Sequence, residues 1–259
     1  VNQDAFAAFA RWIAYGLAHN KELDIHLDDD NNDIVLHLFL PNHTKVTMAS
    51  KAFQGLDQVS DFLRSSRLEK DSSMQKNVDV DLGKSILKEI GIVGWTNTKL
   101  RMPVKSPPDM DLYIPEQKQK GINEGVWLEF STGKNNLKEH LLKKLGQIYL
   151  AKLLKMEEVE EKIYDEKKGE EAKRIRSIKI SKFMHISLYP LEEEDMSMEN
   201  EKISFFSFFD SSFQKSAKRN KIVLDVDKIN DFLLKDGLEN RIREKWKELI
   251  DKIEKFIYA

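Results

Sequence analysis

Asp109 and Asp111 alternate with Met110, Leu112 and Ile114, so in an extended strand both acids and Tyr113 share one face and the apolar residues the other. Val126, Leu128 and Phe130 alternate in the same way with Trp127, Glu129 and Ser131. Where two such strands pair, Asp109 or Asp111 converges with Glu129 at one end of a sheet. Ionised carboxylates at close range repel each other, and a hard divalent ion such as Mg²⁺ or Mn²⁺ relieves that repulsion. The chemistry such a site performs is phosphodiester hydrolysis: the ion activates water and neutralises charge on the phosphate, and a nearby lysine assists. The plainer alternative makes Asp109 part of a turn after Pro107-Pro108 and leaves Glu129 on a surface strand.

A lysine-rich helix follows. It is expected to begin near Asn136, with Glu139 three residues on as a capping box. Leu137, Leu141, Leu145, Ile148, Leu153 and Leu154 form its apolar face. Lys134 lies in the loop before it, and Lys143 and Lys144 lie within it; Lys144 flanks the apolar stripe. Each of the three is a candidate for the assisting lysine. Lys138, together with Lys173, Arg174 and Arg176, is a candidate contact to a nucleic-acid backbone.

Pro108-Asp109, a gap, and then a strand carrying Glu129 resemble the core motif of the PD-(D/E)xK nuclease superfamily. That resemblance implies metal ligation by the proline–aspartate pair and the acidic residue of an (Asp/Glu)-x-Lys triplet, on a restriction-endonuclease-like core. Here the triplet reads Glu129-Phe130-Ser131, with serine in the lysine's place. Trp127 to Thr132 followed by a lysine-rich helix is similar to the cap-snatching endonucleases of segmented negative-strand RNA viruses, in which the lysine has moved to the following helix. The resemblance also implies upstream ligands. His19, Asp81 and Glu89, on two earlier helices, are the candidates. His185, alone in an apolar strand, reads as a hydrogen-bonded structural residue.

The 259 residues are 41% hydrophobic and 33% charged, enough for a large core under a heavily solvated exterior. A formal net charge of −2 excludes a uniform polycation but leaves room for a local basic groove. With no cysteine there are no disulfides, thiolate metal sites or thiol nucleophiles, which fits a reducing compartment such as the cytoplasm; no segment reads as membrane-spanning. The order of elements predicts a mixed α/β fold, with a central mixed sheet flanked by helices.

Residues 1–106 read as a helical layer with a β-hairpin (strands around Leu23–Leu27 and Ile34–Leu40, and a helix over 51–64). Residues 107–226 read as the α/β core, and 227–259 as helices packed on it. The charged run 157–173 reads as a helix end and an exposed loop, 222–226 as a short strand and 227–234 as a small helix. The expected function is a Mg²⁺- or Mn²⁺-dependent endonuclease acting on RNA or DNA, free-standing or within a polymerase or restriction-type assembly. The competing expectations are a silent nuclease-like domain that binds nucleic acid or scaffolds a complex, and a purely structural interaction protein.

Overall fold

The computed structural model describes residues 3–20, 23–28, 33–39, 45–49, 72–102, 107–133, 136–165, 170–191, 196–213, 225, 228 and 238–259. The helix expected over 51–64 lies outside them, as do Lys134 and nearly all of the strand and helix expected over 222–234.

The chain runs α1 (Gln3–His19), β1 (Leu23–Asp28), β2 (Asp33–Phe39), β3 (Lys45–Ala49), α2 (Ser72–Ile90), β4 (Trp95–Lys99), β5 (Asp109–Ile114) and β6 (Val126–Ser131). It continues with α3 (Leu137–Leu153), β7 (Glu158–Asp165), β8 (Glu170–Ser177), β9 (Lys182–Ser187), β10 (Ile203–Ser207) and α4 (Leu238–Tyr258). The expected hairpin is β1–β2, extended by β3 into a three-stranded antiparallel sheet. The central sheet has five strands in the order β10-β9-β6-β5-β4. It is mixed: β9 is parallel to both β6 and β10, while β5 is antiparallel to β6 and β4. No helix among the described residues is long and apolar enough to cross a membrane.

Every residue of β6 and β9 is buried, because these inner strands are covered on both faces. On the face of Leu112 and Phe130 lies α2, where Gly83 approaches Thr96, Leu112 and Phe130. The same face carries α4, whose Phe256 carbonyl accepts from the buried Lys182 Nζ at 2.9 Å. Helix α1 packs there too: Gly16 meets Leu188 and Thr132, and the Phe9 ring lies 5.3 Å from Trp246 of α4. The face of Trp127 and Glu129 is covered by α3.

Two local readings change. The charged run 157–173 is a β-ribbon, β7 against β8 with Glu158 opposite Ser177 and Asp165 opposite Glu170, joined to the sheet through a Leu100–Val159 bridge. Its stability comes from a backbone ladder, which a mostly charged segment broken by Val159, Ile163 and Tyr164 does not display as a clear period. The capping box at α3 is not formed. Asn136 sits at φ 61° and makes no side-chain cap, and the first turn closes through His140 N–H to the Asn136 carbonyl at 2.9 Å.

Gly125, at the entrance to β6, is held by close approach. A Cβ there would run into the Lys179 carbonyl oxygen and the Tyr113 hydroxyl, which itself donates to that carbonyl at 3.0 Å. Gly125→Ala is therefore expected to cost about 3 kcal/mol in urea unfolding. A loss within a few tenths of a kcal/mol would show that the β6–β9 junction yields.

Candidate functional site

Strands β5 and β6 pair from Ile114–Val126 to Leu112–Leu128 and then part company. Beyond that point β5 follows β4, with Asp109 opposite Lys99, and β6 follows β9, with Glu129 opposite His185. Past the Leu112–Leu128 pair, the Phe130 N–H donates to Asp111 Oδ2 at 2.8 Å. Asp111 thus bridges the opening between the strands, and the reading that left Asp109 and Asp111 as alternatives divides here.

Asp109 lies at the outer end of the opening. Its carboxylate is partly exposed and faces two lysines, Lys76 Nζ at 3.5 Å from Oδ2 and Lys99 Nζ at 3.7 Å from Oδ1. Asp111 lies deeper, against Glu129. Burial raises its pKa to about 6; Lys144 and the Phe130 N–H lower it, Asp109 raises it, and a hydrogen bond with Glu129 lowers it.

Glu129 is the most enclosed of the acids. Its Oε1 lies 2.6 Å from Lys144 Nζ and its Oε2 accepts from Trp127 Nε1 at 3.0 Å. Burial and then the Asp111 charge push its pKa well above the ordinary carboxylate range, against the pull of Lys144 and Trp127. Lys144 also donates to the Asp109 carbonyl oxygen at 2.8 Å and stands 5.5 Å over the Trp127 ring. Of the two described candidate lysines, Lys144 is therefore the one beside Glu129; Lys143, its neighbour in α3, is exposed.

A further acid comes from α2. Asp79 is buried and accepts from Trp12 Nε1 of α1 at 3.1 Å. Burial raises its pKa well above the ordinary value, and the charges of Asp111 and Glu129 raise it further, which places it in the same electrostatic neighbourhood. The sequence reading missed Asp79. Its only local signal is an acid between Val78 and Val80 in an amphipathic helix, and the indole that partners it lies 67 positions away.

The other upstream candidates have surroundings of their own. Asp81 is exposed and pairs with Arg11 at 3.8 Å. Glu89 is ten residues from Asp79, about 15 Å of helical rise. His19 is exposed at the end of α1, stacked on Tyr15 with ring centroids 5.7 Å apart. Of the basic residues, Lys138 is exposed on the first turn of α3, Lys173 and Arg174 are on β8, and Arg176 lays its guanidinium 4.9 Å over Trp95.

Two imidazoles complete the surroundings. His140 Nε2 lies 3.5 Å from Glu129 Oε1, and its ring centroid is 6.0 Å from that of His185. Burial lowers His140 to about 4 with help from Lys144 and Lys143, and lowers His185 to about 3 with help from His140 and Lys144. Both rings are neutral at pH 7. Among the described residues neither ring nitrogen of His185 has a hydrogen-bond partner.

No family model, curated protein or solved structure matches this chain. What the site can do is therefore argued from its charges. Among the described residues Asp79, Asp111 and Glu129 share one ammonium, that of Lys144, while Lys76 and Lys99 attend Asp109. Among the described residues no group of three or more His, Asp or Glu stands in an arrangement ready to hold a metal ion. Three acids with one cation nevertheless form a proton-retaining cluster that a second cation would relieve.

Proposed function

We propose that the chain is a divalent-metal-dependent nuclease of the PD-(D/E)xK kind, acting on RNA or DNA. The observation that carries this reading is the surplus of enclosed acids: the buried Asp79 and Glu129 and the half-buried Asp111 around Lys144, at the point where β5 and β6 separate. Buried carboxyls held partly protonated cost stability, and such arrangements cluster where chemistry is done. The donor set, carboxylates alone, suits Mg²⁺ or Mn²⁺. Asp111 and Glu129 would hold the ion with Asp79 beside them, and the ion would supply water activation and charge neutralisation at the phosphate.

The chain's own residues account for the rest. Lys144 sets its ammonium against Glu129 and is the group available to meet charge building on a phosphate oxygen. Trp127 and Trp12 fix the orientations of Glu129 and Asp79 through their N–H groups. Lys76 and Lys99 are exposed cations beside Asp109, where a phosphate backbone would be attracted. Support for a restriction-endonuclease-like core comes from the order β5, β6, α3 and, after the β7–β8 ribbon, β9, which gives the central sheet a strand, strand, helix, strand sequence. Lys144 on α3, rather than Ser131, then takes the part of the triplet lysine.

One observation favours a silent, nucleic-acid-binding domain instead: Glu129 is engaged by protein groups on several sides, Lys144, Trp127 and Asp111. Incubation with end-labelled single- and double-stranded RNA and DNA, in Mg²⁺, Mn²⁺ or chelator, separates the two. The nuclease reading predicts metal-dependent cleavage that falls at least about 100-fold in Glu129→Gln. Salt-sensitive binding with no cleavage under either ion establishes the silent domain.

A further inference from the structure

Helix α3 is apolar on two opposite faces. Its inner face carries Leu137, Leu141, Ile148 and Ala151, all buried. At 100° per residue, Leu142, Gly146, Tyr149, Leu150 and Leu153 fall on the opposite side as a continuous stripe. These side chains are exposed: Leu142 by 48%, Tyr149 by 70% and Leu153 by 65%. Scattered surface leucines need no explanation, but a stripe about three turns long marks an interaction surface. Gly146 adds to this. A glycine inside an exposed helix costs about 1 kcal/mol against alanine. A Cβ at this position would meet nothing within 4 Å, so no described packing requires the glycine. A second backbone lying along the stripe would make use of it.

The flanks say what that backbone belongs to. Lys138 and Lys152 border the stripe on one side and Lys143 on the other, all exposed, with Lys155 just past the helix end; Glu139 is the only acid on the helix. We propose that this outer face of α3 docks an amphipathic helix of a partner protein, with apolar residues at helical spacing and acidic flanks. A second copy of the chain fits poorly, since two such faces would oppose their lysines. Nucleic acid fits poorly as well, because leucines offer bases neither stacking nor hydrogen bonds, and Tyr149 is the stripe's only aromatic ring. A helix laid in register with its anchors along α3 satisfies both the apolar area and the charges. The proposal is independent of the nuclease reading.

The test is selection of a displayed library of helical peptides, each of about 20 residues, against the whole chain and against Leu142→Ser/Leu153→Ser. Both substituted residues are exposed, so the melting temperature is expected to stay unchanged. Enriched peptides are expected to carry acidic flanks around an apolar stripe, to lose at least tenfold in affinity on the double variant, and to weaken with added salt. Four results overturn the proposal. They are no enrichment, enrichment without acidic bias or insensitive to the double substitution, concentration-dependent dimerisation abolished by that substitution, and single-stranded oligonucleotide binding lost in Tyr149→Ser.

Discussion

Asp111→Asn is expected to melt at a higher temperature than the native chain at pH 7.5 while losing the proposed nuclease activity. The reason is the sign of the proton linkage. The folded pKa of Asp111 is raised from an ordinary 3.8 to about 6, so between those values the folded state holds more protons than the unfolded. Stability therefore falls as pH climbs through that window. Asp79 and Glu129, raised in the same direction, add to that decline. Holding Asp111 ionised at neutral pH costs on the order of 3 kcal/mol. Asparagine removes that charge, and its side-chain carbonyl can keep the hydrogen bond from the Phe130 N–H. The gain is expected to reach about 5 °C or more at pH 7.5 and to vanish at pH 4, read from thermal melts across that range. A variant less stable than the native chain at pH 7.5 would mean that the carboxylate is a net stabiliser and the acid surplus is not real.

Lys144→Met is expected to be the most damaging single change at the site. It removes the ammonium that Glu129, Asp111 and Asp79 share among the described residues and leaves enclosed acids uncompensated. Breaking one side of a buried ion pair costs about 3–5 kcal/mol. The loss is expected to shrink towards pH 5, where the acids take up protons instead. Adding Glu129→Gln to Lys144→Met should recover much of the stability at pH 7.5, giving a coupling on the order of 2 kcal/mol in a double-mutant cycle. Additive effects of the two substitutions would deny that Lys144 is the counter-ion of Glu129.

The period-two alternation of Asp109–Ile114 and Val126–Ser131 marks both strands within their observed limits, because side-chain alternation is a local property that the residues themselves display. The choice between Asp109 and Asp111 depends on register, which is set by the connection from Pro115 to Gly125 with its short 3₁₀ turn and is invisible in the strand pattern. Lys144 is legible only as a residue beside the apolar stripe of α3. That it reaches Glu129 depends on how α3 lies across the sheet. Asp79 is the hardest case, since its place follows from α1 packing on α2 and from an indole donor far away in sequence. The β7–β8 ribbon escaped because backbone pairing leaves no apolar period among charged residues. Strand β4, Trp95-Thr-Asn-Thr-Lys, carries too little alternation to be marked in advance.

Titration calorimetry of Mn²⁺ into the whole chain at pH 7.5 tests the central claim most directly, because it asks whether the acid cluster takes a cation without requiring a known substrate. The account predicts saturable binding that weakens towards pH 5.5, as protons compete for the carboxylates, and that is lost in both Asp111→Asn and Glu129→Gln. No binding heat in the native chain, or an isotherm unchanged by both substitutions, would contradict it.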